Sequence, residues 1–149
     1  TDCIQTAIWF LDGVMQEFID KSNGKESLKR THKHAKKGRA LGLGVMGWHT
    51  FLQQKNLPFN SVASTVHTRN IFNKIRGEAE SASMDLAAEY GEPLWCRGTG
   101  MRNTHLLAVA PTVSIQLFVV VLVLVLNLYL LMFIHLMVLK VLLLEKINH

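Results

Sequence analysis

Along the first part of the chain, Ile4, Ile8, Leu11, Met15 and Phe18 recur three to four positions apart, the spacing that lines one face of a helix. Asp2 followed by Gln5 resembles a capping pair, and Asn23-Gly24 predicts where the helix stops. Residues 26–37 predict a second, strongly basic helix that Gly38 closes as a left-handed cap. Residues 40–54 mix glycines with Val45, Met46, Trp48, Phe51 and Leu52, and read as a tight turn entering a helix that ends before Asn56-Leu57-Pro58. Ser61 can cap a long helix with a buried stripe of Phe72, Ile75, Ala79, Ala82 and Leu86 and a stop at Tyr90-Gly91. After a loop rich in Gly, Pro and Thr, residues 105–110 give the one good strand signal, ended by Pro111. Helices that feed one strand, with no sheet for it to join, predict part of an α/β domain.

The pattern breaks after Ser114. From residue 115 to residue 144 the only charged side chain is Lys140, and residues 117–126 have no polar face. The organisation expected is therefore two segments, 1–114 and a hydrophobic tail, 115–149. Within 149 residues there is room for one ordinary domain or for a piece of a larger one, and a chain that begins at Thr1 leaves a fragment or a processed product open.

Charge changes this picture locally. The net +5 comes largely from Lys25, Lys29, Arg30, Lys33, Lys36, Lys37 and Arg39. At helical spacing these charges spread around much of the circumference, and no aromatic is interleaved for base stacking, so the run reads as a solvated face or a contact within a larger protein, not as a nucleic-acid site. His32 and His34, two residues apart, do not share a face as an i, i+4 metal pair would, and no metal is assigned. Cys3 and Cys96 stand far apart without a C-x-x-C partner, as ordinary small residues in a reducing compartment. With no signal peptide before the first helix, the expected location is cytoplasmic.

Two motifs carry candidate chemistry. Gly42-Leu43-Gly44-Val45-Met46-Gly47 matches the dinucleotide fingerprint, but residues 36–39 before it are not a strand, and no Asp or Glu stands between Gly47 and Glu78 to meet a ribose. Close helix packing through small residues is the role expected of it. Thr112, Val113 and Ser114 follow the strand directly and set hydroxyls beside free backbone amides. Such a turn can hold a phosphate, because successive N–H groups present partial positive charge to an anion; taken alone the signal is weak, since such turns are more often simple caps.

Three stretches, residues 37–49, 79–91 and above all 102–114, resemble the large, catalytic subunit of ribonucleotide reductase, in a match that runs from about Thr6 to Ser114. The resemblance implies a fold: a slice, mostly helical here, of that family's ten-stranded α/β barrel. It also implies a chemistry, in which a thiyl radical removes a ribose hydrogen and paired cysteines supply reducing electrons. In that family the Pro-Thr-x-Ser turn binds substrate phosphates, which makes Thr112, Val113 and Ser114 the expected site. The implied partners are a ribonucleoside diphosphate, the rest of the large subunit and a small radical-generating subunit, with neither nucleic acid nor a membrane among them. No cofactor is expected on this chain; the family draws its radical from a metal-containing small subunit (class I, which the spacing favours) or from adenosylcobalamin (class II). The family's radical cysteine lies in an Asn-x-Cys-x-Glu loop, and neither Cys3 nor Cys96 has such neighbours, so no catalytic residue is assigned and the chain alone is expected to be inactive.

The family continues past this turn with a polar, glycine-rich segment, which the tail is not. A one-base frameshift reconciles the two. Valine codons read one base earlier encode Gly, Ser, Cys or Arg, and leucine codons hide Ala, Ser, Thr, Pro, Ile, Val or Phe. Reading from Ile115 this way permits Asn-Ser-Ile-Ile-Cys-Gly-Gly-Val-Ser-Ala-Gly-Ile-Glu-Pro, similar to the family's own continuation. The rival reading is a small membrane-anchored basic protein, since residues 117–139 exceed the about 20 apolar residues that cross a bilayer.

Overall fold

A computed structural model of the chain describes residues 2–111. The expectations for Thr112, Val113, Ser114 and the tail 115–149 fall outside these described residues.

Helix α1, Asp2–Ser22, turns the predicted apolar face inward: Ile8 is fully buried, and Ile4, Leu11 and Met15 pack beside it. The chain leaves α1 at Asn23 and Gly24, as the sequence predicts, and Gly24 takes a positive φ of 76°. The basic stretch is two elements, a 3-10 turn at Glu26–Leu28 and helix α2, Lys29–Gly38.

The left-handed residue that ends α2 is Arg39, at φ 46° and ψ 45°, and not Gly38 as expected. Packing explains the exchange. A Cβ on Gly38 would lie 2.6 Å from Cε3 of Trp95, so glycine is needed one residue earlier for volume, and Arg39 takes the strained conformation. The Arg39 N–H still closes the helix on the Ala35 carbonyl at 2.9 Å.

The strand signal at residues 105–110 does have a partner, contrary to expectation. Residues 41–43 run parallel to residues 105–108: Leu41 N donates to His105 O at 2.8 Å, Leu43 N to Leu106 O at 2.8 Å, and Ala108 N to Leu43 O at 3.1 Å. The pairing is short, a single parallel bridge between Leu43 and Leu107, and among the described residues the chain is mostly helical.

Beyond the bridge come helix α3, Trp48–Gln54, and helix α4, Val62–Tyr90. Ser61 caps α4 by accepting from the Ser64 N–H at 3.1 Å, and Gly91 ends it. Ala79, Ala82 and Leu86 of α4 meet Ile8 of α1, with Leu41 and Leu106 of the paired segments closing the core. Ile8 and Leu86 each contribute about 1.5–3 kcal/mol by leaving water. The predicted stripe holds in the second half of α4; Phe72 and Ile75 are only half-buried.

Past α4, a 3-10 turn at Leu94–Cys96 leads into a loop wrapped around one carboxylate. Glu92 accepts from the amides of Gly98 at 2.6 Å and Gly100 at 2.5 Å, and both glycines have positive φ, as an inward-facing amide there requires.

Candidate functional site

Parallel strands deliver their carboxyl ends to one edge, and in α/β folds ligands gather at that edge. Here one segment runs into residues 44–47 and α3, and the other into Pro111, beyond which the predicted phosphate turn of Thr112, Val113 and Ser114 lies outside the described residues.

The glycines of the first segment serve that pairing. A Cβ on Gly42 would stand 3.1 Å from Cβ of Ala108, and one on Gly44 only 2.7 Å from the Ala108 carbonyl oxygen. Gly47 sits at φ 78° as the residue before α3. The small residues of this motif therefore fit against an extended segment and a turn, which corrects the expectation of helix packing. As the sequence implied, residues 36–38 ahead of the motif are the end of α2, not a strand. An open apolar hollow of about 230 Å³ flanks the loop, lined by Val45, Met46, Gly47, Trp48, Phe51 and Ile71.

The two segments are held at their amino ends by a buried polar cluster that periodicity does not reveal. Asp12 points from the apolar face of α1 into the interior, 4% exposed. Its Oδ1 accepts from Arg39 Nε and from Asn103 Nδ2, both at 2.9 Å; its Oδ2 accepts from Arg39 Nη2 at 2.8 Å and Arg102 Nε at 2.9 Å. Burial pushes the Asp12 carboxyl up; hydrogen bonds from Arg39, Arg102 and Asn103, with the Arg39 charge, outweigh burial and hold it below the usual carboxylate value.

Two guanidiniums against one carboxylate leave a positive surplus. The end of α4 takes it up: Arg102 Nη1 donates to the carbonyls of Tyr90 at 3.0 Å and Gly91 at 2.8 Å, where a helix carries about half a negative charge, and its guanidinium lies 5.1 Å from the Tyr90 ring centroid. Asn103 completes the cluster. Its Nδ2 also donates to the Arg39 carbonyl at 2.9 Å, its Oδ1 accepts from Ser83 Oγ at 2.9 Å, and its own amide donates back to Ser83 Oγ at 3.1 Å. The sequence signal for this cluster was Asp12, a charge on the helix face between Ile8 and Met15.

The other candidates take structural places. His32 Nδ1 lies 3.0 Å from Ser22 Oγ, and His34 meets the Trp95 ring edge-on at 5.0 Å. Lys29, Arg30, Lys33 and Lys36 face solvent. Cys3 is exposed; Cys96 is buried, and burial together with the Glu92 charge pushes its thiol up, away from the reactive thiolate. Among the described residues no three His, Cys, Asp or Glu side chains come together to hold a metal ion, and no helix is long and apolar enough to cross a membrane.

The sequence profile of the ribonucleotide reductase barrel domain matches residues 1–96. The chain belongs to this family. It is 39% identical over 115 residues to a Frog virus 3 protein named as a ribonucleoside-diphosphate reductase large subunit, covering 76% of this chain and 20% of that one. A vitamin B12-dependent ribonucleoside-diphosphate reductase of Thermoplasma acidophilum is 28% identical over 123 residues, covering 78% of this chain and 16% of that one. Among solved structures, the class Id ribonucleotide reductase alpha subunit of Actinobacillus ureae superposes with a TM-score of 0.73 at 43% identity, over 75% of this chain and 22% of that one. The chain thus spans only about a fifth of the length of such ribonucleotide reductase subunits.

Proposed function

We propose that the chain is a piece of a ribonucleoside-diphosphate reductase large subunit, and that its contribution is a phosphate-binding turn made by Thr112, Val113 and Ser114. The observation that supports this reading is the parallel pairing of residues 105–108 with residues 41–43, which makes a strand of the stretch that precedes Pro111 in the sequence. Backbone amides in such a turn offer an anion several N–H donors at once, and the Thr112 and Ser114 hydroxyls add two more. The turn binds and orients the diphosphate of a ribonucleoside diphosphate; the radical chemistry on the ribose belongs to cysteines elsewhere in the large subunit. A small radical-generating subunit is the partner under the class I reading, and adenosylcobalamin the radical source under the other. The working compartment is the cytoplasm.

Mutation of the turn within a full-length subunit tests this. Thr112→Ala weakens binding of a ribonucleoside diphosphate by one charge-assisted hydrogen bond, about 1.5–3 kcal/mol. Val113→Pro weakens it further, because proline deletes an amide donor. Equal calorimetric affinity of wild type and Val113→Pro refutes the phosphate role. The tail, 115–149, we attribute to a one-base frameshift after the turn. RNA sequenced across codons 113–116 then shows one base more, or the same shift above a readable Gly-Gly-Val-Ser frame. A reductase frame filled with stops beneath an open tail frame favours the membrane anchor instead.

A further inference from the structure

We propose that the outer face of α2 is a docking surface for a carboxylate-rich segment of a separate polypeptide, which lies along Lys29, Lys33 and Lys36 with Trp95 at its border.

Residues 25–39 hold seven of the 16 lysine and arginine side chains of the chain and a single carboxylate, Glu26. Within α2 the cations gather on one side, contrary to the spread expected from the sequence. At 3.6 residues per turn Lys29, Arg30, Lys33, Lys36 and Lys37 fall within an arc of about 120°. His32, Ala35 and Gly38 occupy the inner side, where His32 meets Ser22 of α1. Lys29, Arg30, Lys33 and Lys36 are exposed, and Lys37 is half-buried.

On the two long helices, surface cations meet acids in register. Lys21 pairs with Glu17 on α1, and Lys74 with Glu78 and Arg76 with Glu80 on α4, each four residues apart. Beside α2 only Lys29 has such a partner, Glu26 at 3.2 Å. Among the described residues no carboxylate comes within ion-pair distance of Arg30, Lys33, Lys36 or Lys37. Lys33 stands four residues from both Lys29 and Lys37, a spacing at which like charges repel and destabilise a helix. One acidic residue would relieve this, and α2 has none. Unpaired charges of this number are too costly to bury, so the face stays in water in the assembled barrel and its partner comes from outside.

The border of the stripe selects a peptide. Arg30 and Lys37 flank His34 along α2, and the Trp95 indole meets the His34 ring edge-on at 5.0 Å while its ring covers Gly38. Trp95 remains 49% exposed, so its N–H can donate to a carboxylate or a peptide carbonyl beside the cations. A nucleic-acid strand is held by successive aromatics that stack its bases, whereas this stripe has one indole at its edge. From Lys29 to Lys36 the stripe rises about 10.5 Å. Alternate side chains of an extended peptide stand about 6.7 Å apart, so two or three carboxylates at alternate positions lie along it.

The test is fluorescence anisotropy of labelled octaglutamate titrated with the full chain at low and at physiological ionic strength. Binding that weakens as salt rises is expected, and Lys33→Glu with Lys36→Glu raises Kd about tenfold or more, since each reversal turns an attraction into a repulsion. A carboxylate at position 33 faces Lys29 and Lys37, so this variant folds and its loss of binding is not a loss of structure. Lys55→Glu with Arg69→Glu, exposed cations away from α2, changes net charge by the same amount and leaves Kd unchanged. Equal losses in the two double variants, or no loss in the first, overturn the proposal. An oligothymidylate of equal charge binds more weakly than octaglutamate; equal or tighter binding assigns the face to nucleic acid and overturns the peptide. The full-length Actinobacillus ureae alpha subunit carrying residues 2–111 of this chain in place of its matched segment binds octaglutamate with the same dependence on Lys33 and Lys36. If that chimera fails to bind while the chain alone does, the rest of the subunit covers α2, which overturns a partner from outside.

Discussion

Replacing Asp12 by Asn changes the shape of the interior by almost nothing and its electrostatics by one full charge. In the wild type the carboxylate accepts four side-chain hydrogen bonds, three of them from the buried guanidiniums of Arg39 and Arg102. An asparagine offers one acceptor oxygen, and its NH2 group confronts donors where the second carboxylate oxygen stood. Two guanidiniums then share the interior with no anion, only neutral acceptors: Gln16 Oε1 and the residue-12 carbonyl for Arg39, and the carbonyls at the end of α4 for Arg102. Breaking a buried ion pair by removing one partner costs about 3–5 kcal/mol. At about 1.4 kcal/mol per decade this lowers protection from hydrogen exchange two- to nearly four-decade-fold wherever the cluster holds the structure together. The amides to follow are those of Leu41, Leu43 and Ala108, whose bonds cross between the two segments, and of Thr104, which donates to the Gly38 carbonyl at the end of α2. Hydrogen exchange on the whole chain reads them directly. Glu17→Ala, which removes the exposed partner of Lys21, serves as the control and leaves these amides unchanged. If Asp12→Asn alters their protection by less than tenfold, the cluster does not hold the segments and the reasoning fails.

The same carboxylate sets an acid limit. Because its folded pKa lies below its unfolded value, its stabilisation is complete above the unfolded value and is lost as pH falls through the folded one; acid titration of exchange protection therefore shows a limb in wild type that Asp12→Asn lacks. Gly44→Ala forces a Cβ to 2.7 Å from a backbone oxygen and destabilises by about 1–3 kcal/mol, whereas Gly13→Ala, in open space within α1, stabilises by about 0.5–1 kcal/mol; urea midpoints of the two variants should move in opposite directions. Timed alkylation at neutral pH modifies exposed Cys3 quickly and Cys96 only at the rate of local opening, and equal rates would contradict the buried, protonated thiol.

What the sequence revealed follows from how local each signal was. Helices α1 and α4 declare themselves through apolar spacing, and Ser61 through a cap whose partner, Ser64, is three residues away. Gly38 was misread because the reason for it, the Trp95 ring, comes from a distant loop; a glycine at a helix end looks the same whether it supplies φ or space. The parallel partner of residues 105–108 was hidden for a similar reason. Residues 41–44 alternate leucine with glycine, which weakens any strand pattern, yet Gly42 and Gly44 are what lets Ala108 approach. Asp12, Arg39, Arg102 and Asn103 could be seen as polar residues near apolar ones, but their meeting depends on three helices arriving together. Thr112, Val113 and Ser114 were legible as a motif, and their part in the account rests on the strand that leads to them.

The most direct test of that account is turnover by the Actinobacillus ureae alpha subunit carrying residues 2–114 of this chain, assayed with its radical-generating partner and a ribonucleoside diphosphate. The account predicts deoxyribonucleotide formation by the chimera and its loss, with a raised KM, in the Val113→Pro form. A chimera that folds and binds its partner yet forms no deoxyribonucleotide, or one that Val113→Pro leaves unaffected, contradicts it.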